Sequence, residues 1–541
     1  MPRCLLCFIC SCLALAACGG GGNGPTSNTI GGAVFGLAGS GLVLADNGAS
    51  KTAIAAGGPF TFAAAVAGGA TYNVTVSSQP SAPSQMCAVK NASGMVGGSK
   101  ITNVVVTCTT STFTVGGTVS GVDVNGLALQ NNGGSALAVT SGLFKFPTPI
   151  ASGSTYAVTA VTQPTGEGCV ISNGSGTVGS SDVTTVSVNC SAVAGYTYVA
   201  NFTDGSVSQY AIVLGGALSP LSPSTVASGL SARSGPDSVI TDPTGQYVYV
   251  ANTDSTVSQY TIGTGGALTP MTPATIGAGV DTCSFGTASA VTIDPTGRYV
   301  YVVNGGGTLS QYTIGGSGAL TAMSPATVAA GKCPVSITVD RTGHYVYVAN
   351  VGDNSISQYM IGMGGALTPI SPALVATGPV ERINFFTGIT ADPIGPYIYM
   401  SNSFDSVQGN TGNTISQYAI GVSGALVPLS PATVSSNSSS IAVDPTGKYL
   451  FASDFNSNGV LWYSIGADGT LSTAANDGVT TGTYPASVAV DPTGQYVYVA
   501  NYGTNNVSQY AIGSGGALTP MSPATVSTGN YPYSIAVTAA H

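Results

Sequence analysis

The sequence predicts an all-β chain that ends in a seven-bladed propeller, and three observations carry that prediction. A strand pair such as YVYVAN at Tyr247 followed by VSQYTI at Val257 recurs at Tyr196, Tyr299, Tyr345, Tyr397, Tyr449 and Tyr496. Four short strands in each period of about 45 to 55 residues is the pattern of propeller blades. Each full unit opens on an inner strand such as SIAVDP at Ser440 and closes on a Pro-rich outer strand such as LTPMSPATV at Leu518. The first unit begins directly at Tyr196 with no inner strand, whereas an unattached SIAV stands at Ser534. Pairing the two closes the ring and covers an edge that would otherwise recruit other chains.

Each element has local support. Tyr and Val alternate in YVYV, which suits a strand packed on both faces. DPTG follows the inner strand at Asp242, Asp294, Asp444 and Asp491. There Pro presets φ, Asp binds turn amides and Gly takes the left-handed position, so the motif predicts a hairpin. Residues used in every blade are scaffold and poor candidates for a unique site. Asn- and Asp-rich turns after the second strand, at Asn252, Asn350 and Asp454, fit tight turns better than Ca²⁺ loops. Trp462, the single Trp, replaces the Gln of SQY and reads as a packing variant.

Ahead of the propeller, residues 1–17 read as an export signal with one charge, Arg3, before a short apolar stretch. LAAC at Leu15 resembles the lipobox of bacterial lipoproteins, which implies lipid on Cys18, and residues 18–28 form a Gly-rich tether. Gly19 after Cys18 leans towards the outer membrane by analogy with that class. Two copies of a smaller unit follow at 29–110 and 111–192, each with a TYxVT-type strand and a Gln-Pro step. Cys87 with Cys108 and Cys169 with Cys190 stand at equal separations, and equal spacing in an exported chain predicts one disulfide per module. Both modules are expected to be small β-sandwiches, Ig-like in a loose sense. The propeller occupies 193–541.

Composition narrows the function classes. Only 6% of residues are charged and the formal net charge is −9, with Lys and Arg scattered, so nucleic-acid binding is not expected. Nothing after the signal is long and apolar enough to form a membrane-crossing helix. Membrane contact is therefore expected through the lipid alone, and the chain is expected to be monomeric. The sequence holds no G-x-S-x-G elbow, zinc-type His pair or phosphate loop, and it implies no cofactor or metal.

Repeats of the form P-x-S-I-A-V-D-P-T-G-x-Y-V-Y-V-A-N over residues 196–540 resemble the lactonase and YVTN-type seven-bladed propellers, a family that includes 6-phosphogluconolactonases and cycloisomerases. The resemblance implies the fold and says little about the reaction. Family enzymes would place His, Glu and Arg at the channel mouth. Here His344 sits in a DRTGHY hairpin on the opposite face, and His541 is the last residue.

Departures from the repeat are where function can be added. The loop leading into blade five, at 378–388, is expanded and carries Glu381 and Arg382, and the next turn, at 402–413, carries Asn402 and Asp405. Arg233, Asp237 and Lys332 lie on leading loops of the same face and join the candidate ligand site. Glu381 is the one Glu of the propeller and a conceivable general base. Cys283 and Cys333 lead into neighbouring blades and are positioned for a disulfide. Two functions follow: an envelope display module that binds a protein or glycan partner, which the missing His and Arg equipment favours, and, as the alternative, a sugar-lactone hydrolase.

Overall fold

A computed structural model describes residues 26–540 apart from 122, 165, 230–234, 280–289, 378–387, 403–412 and 473–477. The described residues are almost wholly strands and turns, with one short 3-10 turn at Ser514–Gly516. They form two compact units, the first made of residues through Val115 with Pro147–Tyr156 and Gly176–Val183, and the second of Gly116–Phe146, Ala157–Ser175 and Thr184–His541.

Within the first unit, two four-stranded sheets enclose a core that includes Ile30, Leu42, Leu44, Phe62, Val104 and Val106. The strands Ile30–Phe35 and Ile101–Thr110 run parallel, and Gln85–Lys90 pairs antiparallel with Ile101–Thr110 so that Cys87 lies opposite Cys108. That pair is a disulfide, as the spacing predicts. Closing a loop of 21 residues stabilises the module by about 3 kcal/mol. The Gln of the Gln-Pro step clamps the strand: Gln79 Oε1 accepts from the Cys87 N–H at 2.8 Å, and its Nε2 donates to the Cys87 carbonyl at 3.1 Å.

The second unit repeats this device. Cys169 lies opposite Cys190 across a strand pair and is bonded to it, and Gln163 Oε1 accepts from the Cys169 N–H at 2.9 Å. The sequence from Val183 to Asn201 holds no proline, and a single strand of 19 residues runs the whole way, with a register shift at Gly195. Its first part pairs with Glu167–Ser172, and its second part is the second strand of blade one. Ser219 of blade one donates its hydroxyl to the Cys169 carbonyl at 2.9 Å, tying the disulfide-bearing strand to the propeller.

Six four-stranded antiparallel sheets and the blade-one part of a seven-stranded sheet, strands Val183–Asn201, Ser206–Val213, Leu218–Ala227 and Pro532–Ala539, make the seven blades of the propeller. The ring closes as the sequence predicts: Pro532–Ala539 pairs antiparallel with Gly195–Asn201 and supplies the inner strand of blade one. Adjacent inner strands are linked by serines. The hydroxyls of Ser534, Ser238, Ser336, Ser440 and Ser487 accept from the N–H of Val239, Val291, Ile389, Val488 and Ile535 in the next blade, at 3.2–3.4 Å. At the remaining two junctions the repeat places Ala290 and Gly388, which have no hydroxyl to offer.

Two further bonds stitch one blade to the next. The second Tyr of YVYV donates to a turn carbonyl of the following blade: Tyr198 to Gly266, Tyr249 to Gly318, Tyr301 to Gly365, Tyr347 to Gly424, Tyr399 to Gly469 and Tyr498 to Gly216, at 2.6–2.8 Å. The Gln of SQY accepts from the N–H that opens the next outer strand, as Gln259 does from Leu320 at 2.6 Å. The first Tyr of YVYV packs over the same turn glycine; at Gly318, with φ +82, a Cβ would stand 2.3 Å from the Tyr247 ring. Between blades six and seven both stitches are absent, because Phe451 and Trp462 occupy the Tyr and Gln positions. There the rings of Tyr449 and Trp462 pack against Gly516, so Trp462 is the packing variant the sequence suggests.

The DPTG turn also forms as read. Asp242 Oδ1 accepts from the Gln246 and Tyr247 amides at 2.7 and 2.6 Å, Oδ2 takes the Thr244 amide and hydroxyl, and Gly245 has φ +71.

Candidate functional site

In an antiparallel blade, the loop leading into the inner strand and the turn between the second and third strands lie on one face, opposite the DPTG hairpins. His344 is exposed on the hairpin face, where its Nδ1 lies 2.8 Å from the Thr342 hydroxyl, as its turn position predicts.

Of the candidates on the leading-loop face, Arg233, Glu381, Arg382 and Asp405 lie outside the described residues. The described candidates each belong to a different blade. Lys332, in blade four, is exposed, and its backbone N–H donates to Asp353 at 3.0 Å. Asn402, in blade five, is buried and donates its amide to Thr414 and Ser416 at 3.0 and 2.8 Å. It is one of a set of equivalent side chains that ends the second strand of each blade, with Asn201, Asn252, Asn304, Asn350, Asp454 and Asn501. The Oδ1 atoms of Asn201, Asn350, Asn402 and Asn501 are buried with no hydrogen-bond partner among the described residues. Cys333 is disulfide-bonded, and Cys283, its expected partner, lies outside the described residues, as does Cys18. Among the described residues no group of three or more His, Cys, Asp or Glu side chains is placed to hold a metal ion. The Asp-bearing turns are closed on themselves: Asp353 accepts from Ser355, and Asp454 from the Asn456 and Ser457 amides.

Asp237 stands apart from these. It opens the inner strand Pro236–Thr241 of blade two and is only 4% exposed. The neighbouring inner strand, Pro532–Ala539, brings Tyr533 to it. Burial raises the Tyr533 pKa above the ordinary tyrosine value, and the Asp237 carboxylate raises it further. The pair therefore comprises a buried carboxylate and a phenol that stays protonated through neutral and mildly alkaline pH.

Tyr533 also belongs to an aromatic sector that composition and loop length did not reveal. Phe202 lies 5.8 Å from Tyr533 between ring centroids, Tyr502 lies 6.2 Å from Tyr533 and 4.5 Å from Tyr531, and Phe455 stacks on Tyr484 at 4.8 Å. Phe455 and Tyr502, 6.4 Å apart, join the two groups. Two repeated positions supply most of these rings. One follows the Asn or Asp that ends the second strand: Phe202, Phe455 and Tyr502 in blades one, six and seven, against Thr253, Gly305 and Val351 in blades two to four. The other precedes the proline of the inner strand: Tyr484 and Tyr531 in blades seven and one, against Gly235 and Cys333 in blades two and four. An alignment of the repeats held that signal.

A family model described as Lactonase, 7-bladed beta-propeller matches residues 280–384 and 394–541. Among solved structures, a putative 6-phosphogluconolactonase from Bacteroides fragilis is similar at 18% identity and TM-score 0.51, covering 64% of this chain and 98% of that one. A periplasmic gluconolactonase from Pseudomonas aeruginosa is similar at 16% identity and TM-score 0.51, covering 64% of this chain and 99% of that one. At these identities the likeness is one of fold. A search of curated proteins gives no match.

Proposed function

The ring formed by the C-terminal part of the chain is a lactonase-family seven-bladed propeller, and from that premise we propose that it hydrolyses a sugar-type lactone at the leading-loop face, with Asp237 as general base. The observation that carries this reading is the buried Asp237 carboxylate beside the Tyr533 phenol, on adjacent inner strands of blades two and one. The substrate class is the one named for two of its fold neighbours.

In the proposed step Asp237 takes a proton from water while the water oxygen attacks the lactone carbonyl carbon. Tyr533, held protonated by burial and by the neighbouring carboxylate, donates a hydrogen bond to the carbonyl oxygen as charge develops there. The ring C–O bond then breaks, and the leaving alkoxide recovers the proton from Asp237, giving the open-chain hydroxy acid. General-base catalysis of this kind is worth about 10²- to 10⁴-fold.

The test is turnover of a panel of aldonolactones by the full chain. Asp237→Asn is expected to lower kcat by about 10²-fold or more and Tyr533→Phe by about tenfold or more, with unchanged thermal unfolding. Equal turnover in Asp237→Asn and the parent, or no hydrolysis above buffer, overturns the reading. The LAAC sequence at Leu15 supports a second part of the proposal, that the enzyme works from the cell envelope with lipid on Cys18. Intact mass of membrane-extracted protein tests it: acyl chains on a chain that starts at Cys18 support it, and an unmodified Cys18 sinks it.

A further inference from the structure

We infer that the aromatic sector of blades six, seven and one is a stacking platform for an uncharged polysaccharide, a binding function separate from lactone hydrolysis. Tyr484 and Tyr531 occupy the same place in adjacent blades, are 48% and 40% exposed, and each rests on a half-buried ring, Phe455 at 4.8 Å and Tyr502 at 4.5 Å. A ring supported from beneath presents a fixed flat face to solvent at little entropic cost, which suits the C–H faces of pyranose rings.

Backbone conformation and side-chain hydrogen bonds fix the position of these rings. Tyr484 and Tyr531 adopt φ of +55 and +56 immediately before a proline, a region that bulky residues rarely enter. The corresponding residue in blade four, Cys333, takes φ +47, so the conformation recurs in the repeat. Each tyrosine is held in place by an amide, with the Tyr484 N–H donating to Asn458 Oδ1 and the Tyr531 N–H to Asn505 Oδ1, both at 2.8 Å. At that recurring position the side chain is aromatic in the two blades where a supporting ring lies beneath it.

The surroundings select the ligand class. Asn505 and Asn530 amides, 3.2 Å apart, the exposed Asp204 and the Thr483 and Thr504 hydroxyls border the rings, a set of groups that matches sugar hydroxyls. No Lys or Arg occurs in the loop segments 201–205, 481–485, 501–505 and 528–533, which disfavours a nucleic acid or other polyanion.

The experiment is affinity electrophoresis of the full chain in native gels cast with soluble uncharged polysaccharides: dextran, mannan, xyloglucan and a β-1,3-glucan. At least one is expected to retard the parent protein, with Tyr484→Gly and Tyr531→Gly each weakening retention about tenfold. Glycine is already accommodated at this place in blade two, and Tyr484→Phe with Tyr531→Phe, which keep the rings, are expected to retain most binding. Asp237→Asn is expected to bind as the parent does, so loss of hydrolysis and loss of binding are read separately. Retardation by none of the four, or equal retardation of the double glycine variant, overturns the inference. So does a parent dimer that the double glycine variant converts to monomer in sedimentation without any polysaccharide, which would make the sector a self-contact.

Discussion

Blades two to four and blades six, seven and one are built on one plan, yet they differ at matching positions. In blades two and three the second Tyr of YVYV and the Gln of SQY reach the next blade through hydrogen bonds, and the residue after the second-strand Asn is small. In blade six Phe451 and Trp462 replace that Tyr and Gln, and at the leading-loop face Phe455, Tyr502 and Phe202 replace the small residues. The repeat thus tolerates exchange of a directional bond for ring packing in one sector, and the same sector holds the exposed tyrosines. Specialisation here is by residue type at fixed positions, with the backbone plan retained.

The largest effect that would sharpen this contrast is on catalysis. Asp237→Asn is expected to remove about 10²-fold or more of lactone turnover, whereas Trp462→Gln in blade six leaves it unchanged, as steady-state kinetics on both variants will show. Next in size is the loss of a regular stitch. Gln259→Ala strips the buried Leu320 N–H and the Pro273 carbonyl of their partner and is expected to cost about 2–3 kcal/mol in chemical denaturation. Trp462→Gln is expected to change stability by less than about 1 kcal/mol, because a regained bond to the Leu518 N–H offsets lost packing. If the two variants are equally destabilised, the junctions are not different in kind.

A further test uses pH. Burial pushes Tyr359 up to about 12 and raises Tyr198, Tyr249, Tyr301, Tyr347, Tyr399 and Tyr498 above the ordinary tyrosine value of 10.0. With folded pKa values above unfolded ones, the unfolded chain binds fewer protons once pH exceeds 10, so stability falls as pH rises. Unfolding free energy is expected to be insensitive to tyrosine ionisation below pH 10 and to drop steeply above it. A shallow decline would mean that the belt of buried phenols is not closed to solvent. The smallest effect is expected at the exposed sector, where Tyr484→Gly trades ring packing for a relaxed backbone and shifts stability by no more than about 1 kcal/mol in either direction.

Much of this was legible because it is repeated. Blade number, the SIAV strand at Ser534 that closes blade one, the Asp242-type turn and both module disulfides follow from patterns that recur with fixed spacing. The aromatic sector was harder to read because its members come from separate blades. Tyr484 and Phe455 are 29 residues apart and Tyr531 and Tyr502 also 29 apart, and only the third dimension brings each pair together. Loop length drew attention to Glu381 and Arg382, which lie outside the described residues, whereas the departures that build the aromatic sector are single residues in loops of ordinary length. Asp237 was legible as a candidate, but its partner was not: Tyr533 reaches it only because the ring joins the last strand to the first blade.

The strand Val183–Asn201 has a mechanical meaning. It is bonded to Glu167–Ser172 near its start and to the third and inner strands of blade one near its end. Its ladder bonds lie across the chain direction, so tension applied along it from the N-terminal side loads many bonds together in shear instead of opening them singly. A tug on such a chain would meet its resistance at the closure of the ring, giving the protein one stiff load path from its small disulfide-bearing segment into the propeller.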